Sequence, residues 1–192
     1  MIPEFNMAGL IPPIRPGVPG HSADRSPYVV DISSVILRFA TTPKRIQILK
    51  GFLEFRQNFY ALGVIDGFQW VDGSFCQDIE TIESRDPGDI DVVTFFYTPQ
   101  GVDLTAELIE SITNLLNSEY TKPRFNVDAY GMQLGTTFTA STVQTLSYWY
   151  SMWSHRKSDN MWKGFVQVPL SPTEDKQAII ELNKIEIQEE MQ

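Results

Sequence analysis

Residues 68–96 read FQWVDGSFCQDIETIESRDPGDIDVVTFF, and this stretch places a Gly-Ser pair ahead of an Asp-Ile-Asp triplet. Asp89 and Asp91 are two residues apart at the start of a largely apolar run, residues 92–96. If this run is a β-strand, both carboxylates project from one face, because strand side chains alternate between faces. Carboxylates held that close repel each other unless a cation lies between them, and oxygen ligands favour Mg²⁺ or Mn²⁺ over zinc.

A tight turn is predicted shortly before this acidic pair. Residues 69–71 favour a short buried strand that ends at Asp72, and Gly73 and Ser74 follow it. Glycine lets the backbone approach a phosphate closely, and the serine adds a hydroxyl donor. The competing interpretation is an ordinary β-turn, for which Asp-Gly is a common signature, with the acidic pair as solvated residues at a strand end.

A third carboxylate is expected, because phosphoryl chemistry with two metal ions normally needs one more acidic ligand. Asp128 is the candidate, since apolar and polar residues alternate over residues 124–130 with the period of a strand. The pattern predicts a strand over 124–130 whose polar face adjoins the strand of Asp89 and Asp91. The alternative is an exposed edge strand on which Asp128 is simply solvated.

A Gly-Ser pair, an Asp-x-Asp that leads a strand and a lone Asp on a later strand resemble the DNA polymerase β-type nucleotidyltransferase superfamily. The resemblance implies an α+β fold, in which a mixed β-sheet is flanked by helices. It implies that Asp89 and Asp91 bind the metal ion that chelates a nucleoside triphosphate. Asp128 would complete the metal site and help to deprotonate the acceptor. Gly73 and Ser74 would contact the phosphates.

Over most of its length the chain is also similar to an uncharacterised bacterial family of small nucleotidyltransferase-fold proteins. The matching positions are Ile2-Pro3, Asn6, Pro12-Pro13, residues 70–74, Tyr148-Trp149 and Lys163-Gly164. This resemblance supplies no biological role. The chain departs from the superfamily pattern in a long acidic insert between Ser74 and Asp89, which would crowd a triphosphate.

Nucleotide transfer usually requires a basic side chain near the phosphates that leave, because it balances their negative charge. The candidates are Arg156, Lys157 and Lys163. The other interpretation of these cations is that they are surface residues after a helix, where positive charge stabilises the carbonyl end.

Composition predicts one compact domain and limits the partners. With 192 residues, 42% of them hydrophobic and 12% aromatic, the chain can bury a sizeable core. A net charge of -9 and a pI near 4.7 disfavour a broad basic surface for DNA or RNA. A small molecule or a protein is therefore favoured as acceptor over a long polynucleotide.

Cys76 is the single cysteine and there are two histidines, which excludes an intrachain disulfide and a zinc-type cluster. The sequence shows no secretory leader pattern and no apolar run of about twenty residues, so we expect no membrane contact and a cytoplasmic location.

Three regions are predicted along the chain. Residues 1–28 are rich in proline and glycine and should be extended, residues 29–170 form the nucleotidyltransferase-like domain, and residues 171–192 form a peripheral C-terminal helix. The first and last regions are the candidates for contact with a protein partner.

Three helices are predicted within the central region. One spans 43–62, capped by Thr41 or Thr42 and ended by Gly63. A second spans 104–116, and a third spans 141–155. The inward residues are expected to be Leu108, Ile109, Ile112, Leu115 and Leu116 in the second helix and Val143, Leu146, Tyr150 and Trp153 in the third. Tyr148 and Trp149 could stack on a nucleobase, but aromatic residues at helical spacing are more typical of a core.

The function that the resemblance favours is metal-dependent transfer of a nucleoside monophosphate. A nucleoside triphosphate, for example ATP, would react with a hydroxyl of a small molecule, a protein or an RNA end and release pyrophosphate, with Mg²⁺ or Mn²⁺ as cofactor. The alternative is a catalytically inactive binding or regulatory protein of the same fold, as in a toxin–antitoxin or phage-defence system. A third hypothesis is an interaction protein whose acidic surface engages a basic partner.

Overall fold

The computed structural model describes residues 1–190 as an α+β fold with a five-stranded mixed sheet flanked by helices, which confirms the predicted α+β class and mixed sheet. The strands are β1 (Tyr28–Val29), β2 (Gly67–Asp72), β3 (Ile90–Phe96), β4 (Val127–Gln133) and β5 (Val166–Pro169). The helices are α1 (Ile32–Phe39), α2 (Pro43–Ala61), α3 (Ile79–Glu83), α4 (Ala106–Leu115), α5 (Ser118–Phe125), α6 (Ala140–Trp153) and α7 (Pro172–Glu190).

The sheet has the order β1-β5-β2-β3-β4, so β2 and β3 lie near its middle and β4 forms one edge. β2 runs antiparallel to both β5 and β3, whereas β4 runs parallel to β3. The register sets Asp72 opposite Asp91 and Asp91 opposite Asp128. The topology therefore brings three carboxylates together that lie far apart in the sequence.

The two faces of the sheet carry apolar layers of different size. The larger core contains residues from β2, β3 and β4 together with α1, α2, α4, α5 and α7. On the other face, Trp70, Val93 and Phe95 pack with Trp153 of α6 and with Phe165. Successive residues of each central strand enter opposite layers, as the alternation of strand side chains requires.

Helix α2 follows the sequence prediction closely. Thr42 caps it by accepting a hydrogen bond from the Arg45 backbone N–H at 3.2 Å, and Pro43 occupies the first turn. The helix ends at Ala61, and Gly63 follows with φ +79°. Pro43 suits this start because the first helical N–H has no intrahelical partner to lose.

Helices α4 and α6 exist, but their buried faces are narrower than predicted. Thr105 caps α4, so the helix begins at Ala106 rather than at residue 104. Ile112 and Leu115 are buried in it, whereas Ile109 is 51% exposed. In α6, Trp153 is buried and Val143 is 46% exposed, since this helix covers only the smaller apolar layer.

The predicted strand over 124–130 is wrong at its start. Helix α5 continues to Phe125, Asn126 ends it in the left-handed conformation with φ +55°, and the strand begins at Val127. The alternation is confirmed from that point, because Val127 and Ala129 are fully buried and Asp128 lies on the opposite face.

The two ends of the chain pack on the domain. Residues 1–27 contain no helix, and Ile2, Leu10 and Ile11 are buried. Helix α7 packs against α1 and α2 and buries Ala178 and Leu182. The predicted helix over 171–192 extends beyond the described residues by two positions. Across residues 1–190, none of the helices has the length and apolarity needed to cross a membrane.

Candidate functional site

Three carboxylates lie side by side at one end of strands β2, β3 and β4, and we call Asp72, Asp91 and Asp128 the aspartate row. They sit on neighbouring strands in direct register, on the face that α6 covers. All three line a cleft of about 730 Å³. The other side of the cleft is formed by the end of α6 and the loop after it, with Met152, Trp153, His155, Arg156, Lys157 and Ser158.

A buried lysine neutralises one end of the row. The Lys163 ammonium contacts both carboxylate oxygens of Asp72, and both side chains are almost fully buried. Burial raises the pKa of Asp72 to about 6, although Lys163 and the Gly73 N–H pull it down. Lys163, which the sequence suggested as a phosphate ligand, is thus already paired with Asp72.

A second lysine neutralises the other end. Lys122 of α5 places its ammonium 2.6 Å from a carboxylate oxygen of Asp89 and 3.4 Å from one of Asp128. The hydrogen bond to Asp89 is the main reason that the pKa of Lys122 is raised. Asp89 and Asp128 therefore both contact the Lys122 ammonium. This agrees with the prediction that the polar face of the Asp128 strand adjoins the strand of Asp89 and Asp91.

Asp91, at the centre of the row, carries the least compensated charge. Burial raises its pKa to about 7, and the neighbouring charges of Asp72, Asp89 and Asp128 add to the effect, while Lys163 offsets only part of it. Beside it, the Oδ1 atom of Asp128 is buried without a hydrogen-bond partner. An unpartnered buried oxygen is costly, so this part of the site is electrostatically short of positive charge.

These residues fit a hard divalent cation. Their donors are all carboxylate oxygens, which suit Mg²⁺ or Mn²⁺. Within residues 1–190, no three His, Cys, Asp or Glu side chains already stand in a metal-binding arrangement. Lys122 occupies the position between Asp89 and Asp128, and its side chain is 52% exposed, so it can swing into solvent without disturbing the core.

The predicted Gly-Ser turn adjoins the row. Ser74 begins a short 3₁₀ helix, Ser74–Cys76, and Gly73 precedes it with φ +87°. A Cβ atom on Gly73 would lie 2.1 Å from Oδ2 of Asp91. Glycine is therefore required both for the backbone conformation and for the close approach of the turn to Asp91. Gly73 and Ser74 both line the cleft.

Arg45 of α2 holds this turn from behind, and the sequence patterns did not reveal it. Its guanidinium donates to the carbonyls of Phe75 and Gln77, both at 2.7 Å, and to the carboxylate of Glu80 at 2.5 and 2.9 Å. Arg45 is buried, so these bonds are shielded from water. The fork geometry of arginine lets one side chain fix three acceptors at once.

The acidic insert is partly neutralised by arginines. Glu80 pairs with Arg45, and Glu83 lies 2.7 Å from Arg85 at the rim of the cleft. These pairs reduce the repulsion toward a triphosphate that the sequence alone suggested.

Arg156 lies in the cleft wall, but it already has partners. Its guanidinium bonds the carboxylate of Asp159 and donates to the Ala8 carbonyl at 2.9 Å. Lys157, next to it, is exposed and lines the same cleft. The structure thus brings Arg156 near the aspartate row. The Lys157 ammonium is more accessible to an anion than the Arg156 guanidinium, because Lys157 is exposed.

Residues 3–169 match the model of a family of unknown function, DUF6932. No curated protein and no solved structure matches the chain.

Proposed function

We propose that the chain, which belongs to the DUF6932 family, is a metal-dependent nucleotidyltransferase with a polymerase β-like arrangement of its catalytic residues. The observation that carries the proposal is the pairing of Asp91 with Asp128 across parallel strands, beside the Gly73-Ser74 turn and with an unpartnered buried oxygen. The reaction would transfer a nucleoside monophosphate from a nucleoside triphosphate to an acceptor hydroxyl.

Each residue has a distinct part in this proposal. Asp91 and Asp128 hold Mg²⁺ or Mn²⁺, and Asp89 joins them once Lys122 has moved aside. The metal, when bound, supplies positive charge that offsets the charge of the triphosphate.

The remaining groups handle the phosphates and the proton. The Gly73 backbone and the Ser74 hydroxyl position the phosphates, and Lys157 adds positive charge from the opposite wall. The Asp128 oxygen that has no partner accepts the proton of the acceptor hydroxyl while the hydroxyl oxygen attacks the α-phosphorus and the bond from that phosphorus to pyrophosphate breaks. Pyrophosphate is the leaving group. The net charge of -9 favours a small-molecule or protein acceptor over a long polynucleotide.

Calorimetric titration with ATP, GTP, CTP and UTP, each with and without Mn²⁺ or Mg²⁺, tests the proposal. Metal-dependent binding by the wild type should be lost in Asp91→Asn and Asp128→Asn. Asp103→Asn is the matched control, because Asp103 is exposed and does not line the cleft. If Asp91→Asn bound nucleotide as the wild type does, the assignment of the site would be wrong.

A second function, binding without transfer, is favoured by the two lysines. Lys163 and Lys122 compensate the carboxylates at both ends of the site, where a metal ion would otherwise supply the positive charge. A regulatory protein of this kind would bind nucleotide but release no pyrophosphate. Assaying pyrophosphate with a panel of acceptors separates it from the enzyme.

A further inference from the structure

Three aromatic side chains form a half-exposed surface beside the aspartate row, and we call Tyr130, Tyr148 and Trp149 the aromatic shelf. The ring centre of Trp149 lies 4.8 Å from that of Tyr130 and 5.3 Å from that of Tyr148. Tyr148 is 58% exposed and Tyr130 is 37% exposed. The expectation that Tyr148 belongs to the core is therefore wrong, and Trp149 is buried only in part.

The shelf begins next to the proposed reaction centre. Tyr130 follows Asp128 by two residues on β4, so the two side chains share a face and their backbones are about 7 Å apart. Tyr130 also lines the same cleft as Asp91 and Asp128.

The shelf is supported from beneath. Trp149 contacts the buried Trp153 edge to face, with ring centres 5.8 Å apart, and Trp153 contacts the buried Phe165 at the same distance. The aromatic rings are thus fixed on the smaller apolar layer while part of their surface faces solvent. A rigid, partly exposed aromatic face binds planar rings at little cost in conformational entropy.

We propose that the aromatic shelf binds a nucleobase, an inference that rests on the proposed function. A nucleotide whose base stacks on Trp149, with the Tyr148 ring inclined at 69° beside it, can extend its sugar and phosphate past Tyr130 toward Asp128 and Asp91. The base belongs either to the donor triphosphate or to the terminal nucleotide of an RNA acceptor. Because stacking uses the ring face, we expect little preference among the four bases.

Trp149→Leu and Tyr148→Ala test the shelf, with Trp149→Phe as the conservative variant. Tyr97→Ala is the matched control, because Tyr97 is a partly exposed aromatic residue just beyond the far end of β3. The probes are ATP and inorganic tripolyphosphate with Mn²⁺, and an octamer of adenosine ribonucleotides without metal. Urea unfolding of each variant checks that the fold is retained.

If the shelf binds the base of the donor triphosphate, Trp149→Leu and Tyr148→Ala should bind ATP about tenfold more weakly than the wild type. Both variants should bind tripolyphosphate as the wild type does. Trp149→Phe should keep most of the affinity. If the shelf instead binds the base of an RNA acceptor, the same two variants should bind the octamer about tenfold more weakly and should bind ATP as the wild type does. Unchanged binding of both ATP and the octamer in Trp149→Leu overturns the inference.

The two proposals fail in different ways. If the wild type binds neither ATP nor tripolyphosphate with Mn²⁺, the nucleotidyltransferase proposal fails. Loss of octamer binding in Trp149→Leu would still support the shelf in that case. If tripolyphosphate binds and the shelf variants bind every probe normally, the metal site stands and the shelf does not.

Discussion

Asp91 shows at the scale of one residue how a binding site can cost stability. Its carboxylate lies among three other carboxylates and is largely buried, which raises its pKa to about 7. Lys163 offsets only part of this repulsion, so without a bound cation the Asp91 carboxylate destabilises the folded chain, since like charges in a poorly solvated place repel. Functional sites commonly carry a cost of this kind.

We therefore expect Asp91→Asn to raise the free energy of unfolding by about 1–3 kcal/mol at pH 8, measured by urea denaturation in the presence of EDTA. The pH dependence has a definite sign. The folded pKa is above the unfolded value, so the folded protein holds more protons between about pH 4 and 7, and its stability falls as the pH rises through that window.

Because asparagine does not titrate, the advantage of the Asn variant should be small at pH 4, grow up to pH 7 and stay constant above it. Asp103→Asn, at an exposed position, should show no such trend. A variant less stable than the wild type at pH 8 would show that Asp91 is compensated by something other than a bound cation.

Gly73→Ala should cost about 1–3 kcal/mol of unfolding free energy and abolish nucleotide binding. The backbone has φ +87°, and the new Cβ would meet Oδ2 of Asp91 at 2.1 Å. Gly17→Ala is the matched control, because Gly17 has φ +85° but nothing within 4 Å of its Cβ position. Urea denaturation and nucleotide titration of both variants separate backbone strain from the contact with Asp91. Equal effects of the two substitutions on binding would contradict this role of Gly73.

Two of the three residues of the aspartate row could be predicted from local pattern alone. Asp91 and Asp128 follow from a period of two along each strand, and the structure confirms their adjacency. The pairing of Lys163 with Asp72 joins residues 91 positions apart, so no local pattern contains it. No sequence pattern predicted Lys122 as a site residue, because the helix that carries it, α5, was not predicted.

At the scale of secondary structure, helix caps and helix-breaking residues determined which elements could be predicted from the sequence. Helix α2 has a threonine cap, an early proline and a terminal glycine, and its prediction held within one residue. Helix α5 has only eight residues and contains Pro123, and a proline inside so short a segment is more typical of a turn than of a helix. Its last turn is helped by tertiary contacts, for example the bond from the Thr121 hydroxyl to the Val127 carbonyl at 2.8 Å.

The link between α2 and the Gly73-Ser74 turn predicts a further effect. Arg45→Lys keeps the charge, but a single ammonium cannot reach the carbonyls of Phe75 and Gln77 and the Glu80 carboxylate together. We expect a loss of about 2–3 kcal/mol in urea unfolding, because buried acceptors lose their donors, and weaker nucleotide binding at temperatures where the variant is folded. Lys44→Met, on the same helical turn, should leave both properties near the wild-type values. Arg45→Lys binding nucleotide normally would show that the turn holds its shape unaided.

At the scale of the whole molecule, the last helix is joined to the sheet through a buried charge network. Arg56 of α2 is fully buried and donates to both carboxylate oxygens of Asp175 in α7, at 2.6 and 2.8 Å. It also donates to the side chain of Gln69 in β2 and to the Pro169 carbonyl at the end of β5. Four elements thus share one guanidinium, and the apolar spacing of α7 alone does not reveal this.

A double-mutant cycle tests whether this network sets the stability of the chain. Asp175→Leu alone should cost about 3–5 kcal/mol, because it leaves the Arg56 charge buried without its partner, and Arg56→Met alone should cost a similar amount. The double variant Arg56→Met/Asp175→Leu should lose much less than the sum, since two apolar side chains of similar size can pack where the pair stood. Urea denaturation gives the four free energies. Additive losses would mean that the two residues act independently, and then α7 would be held by its apolar contacts with α1 and α2.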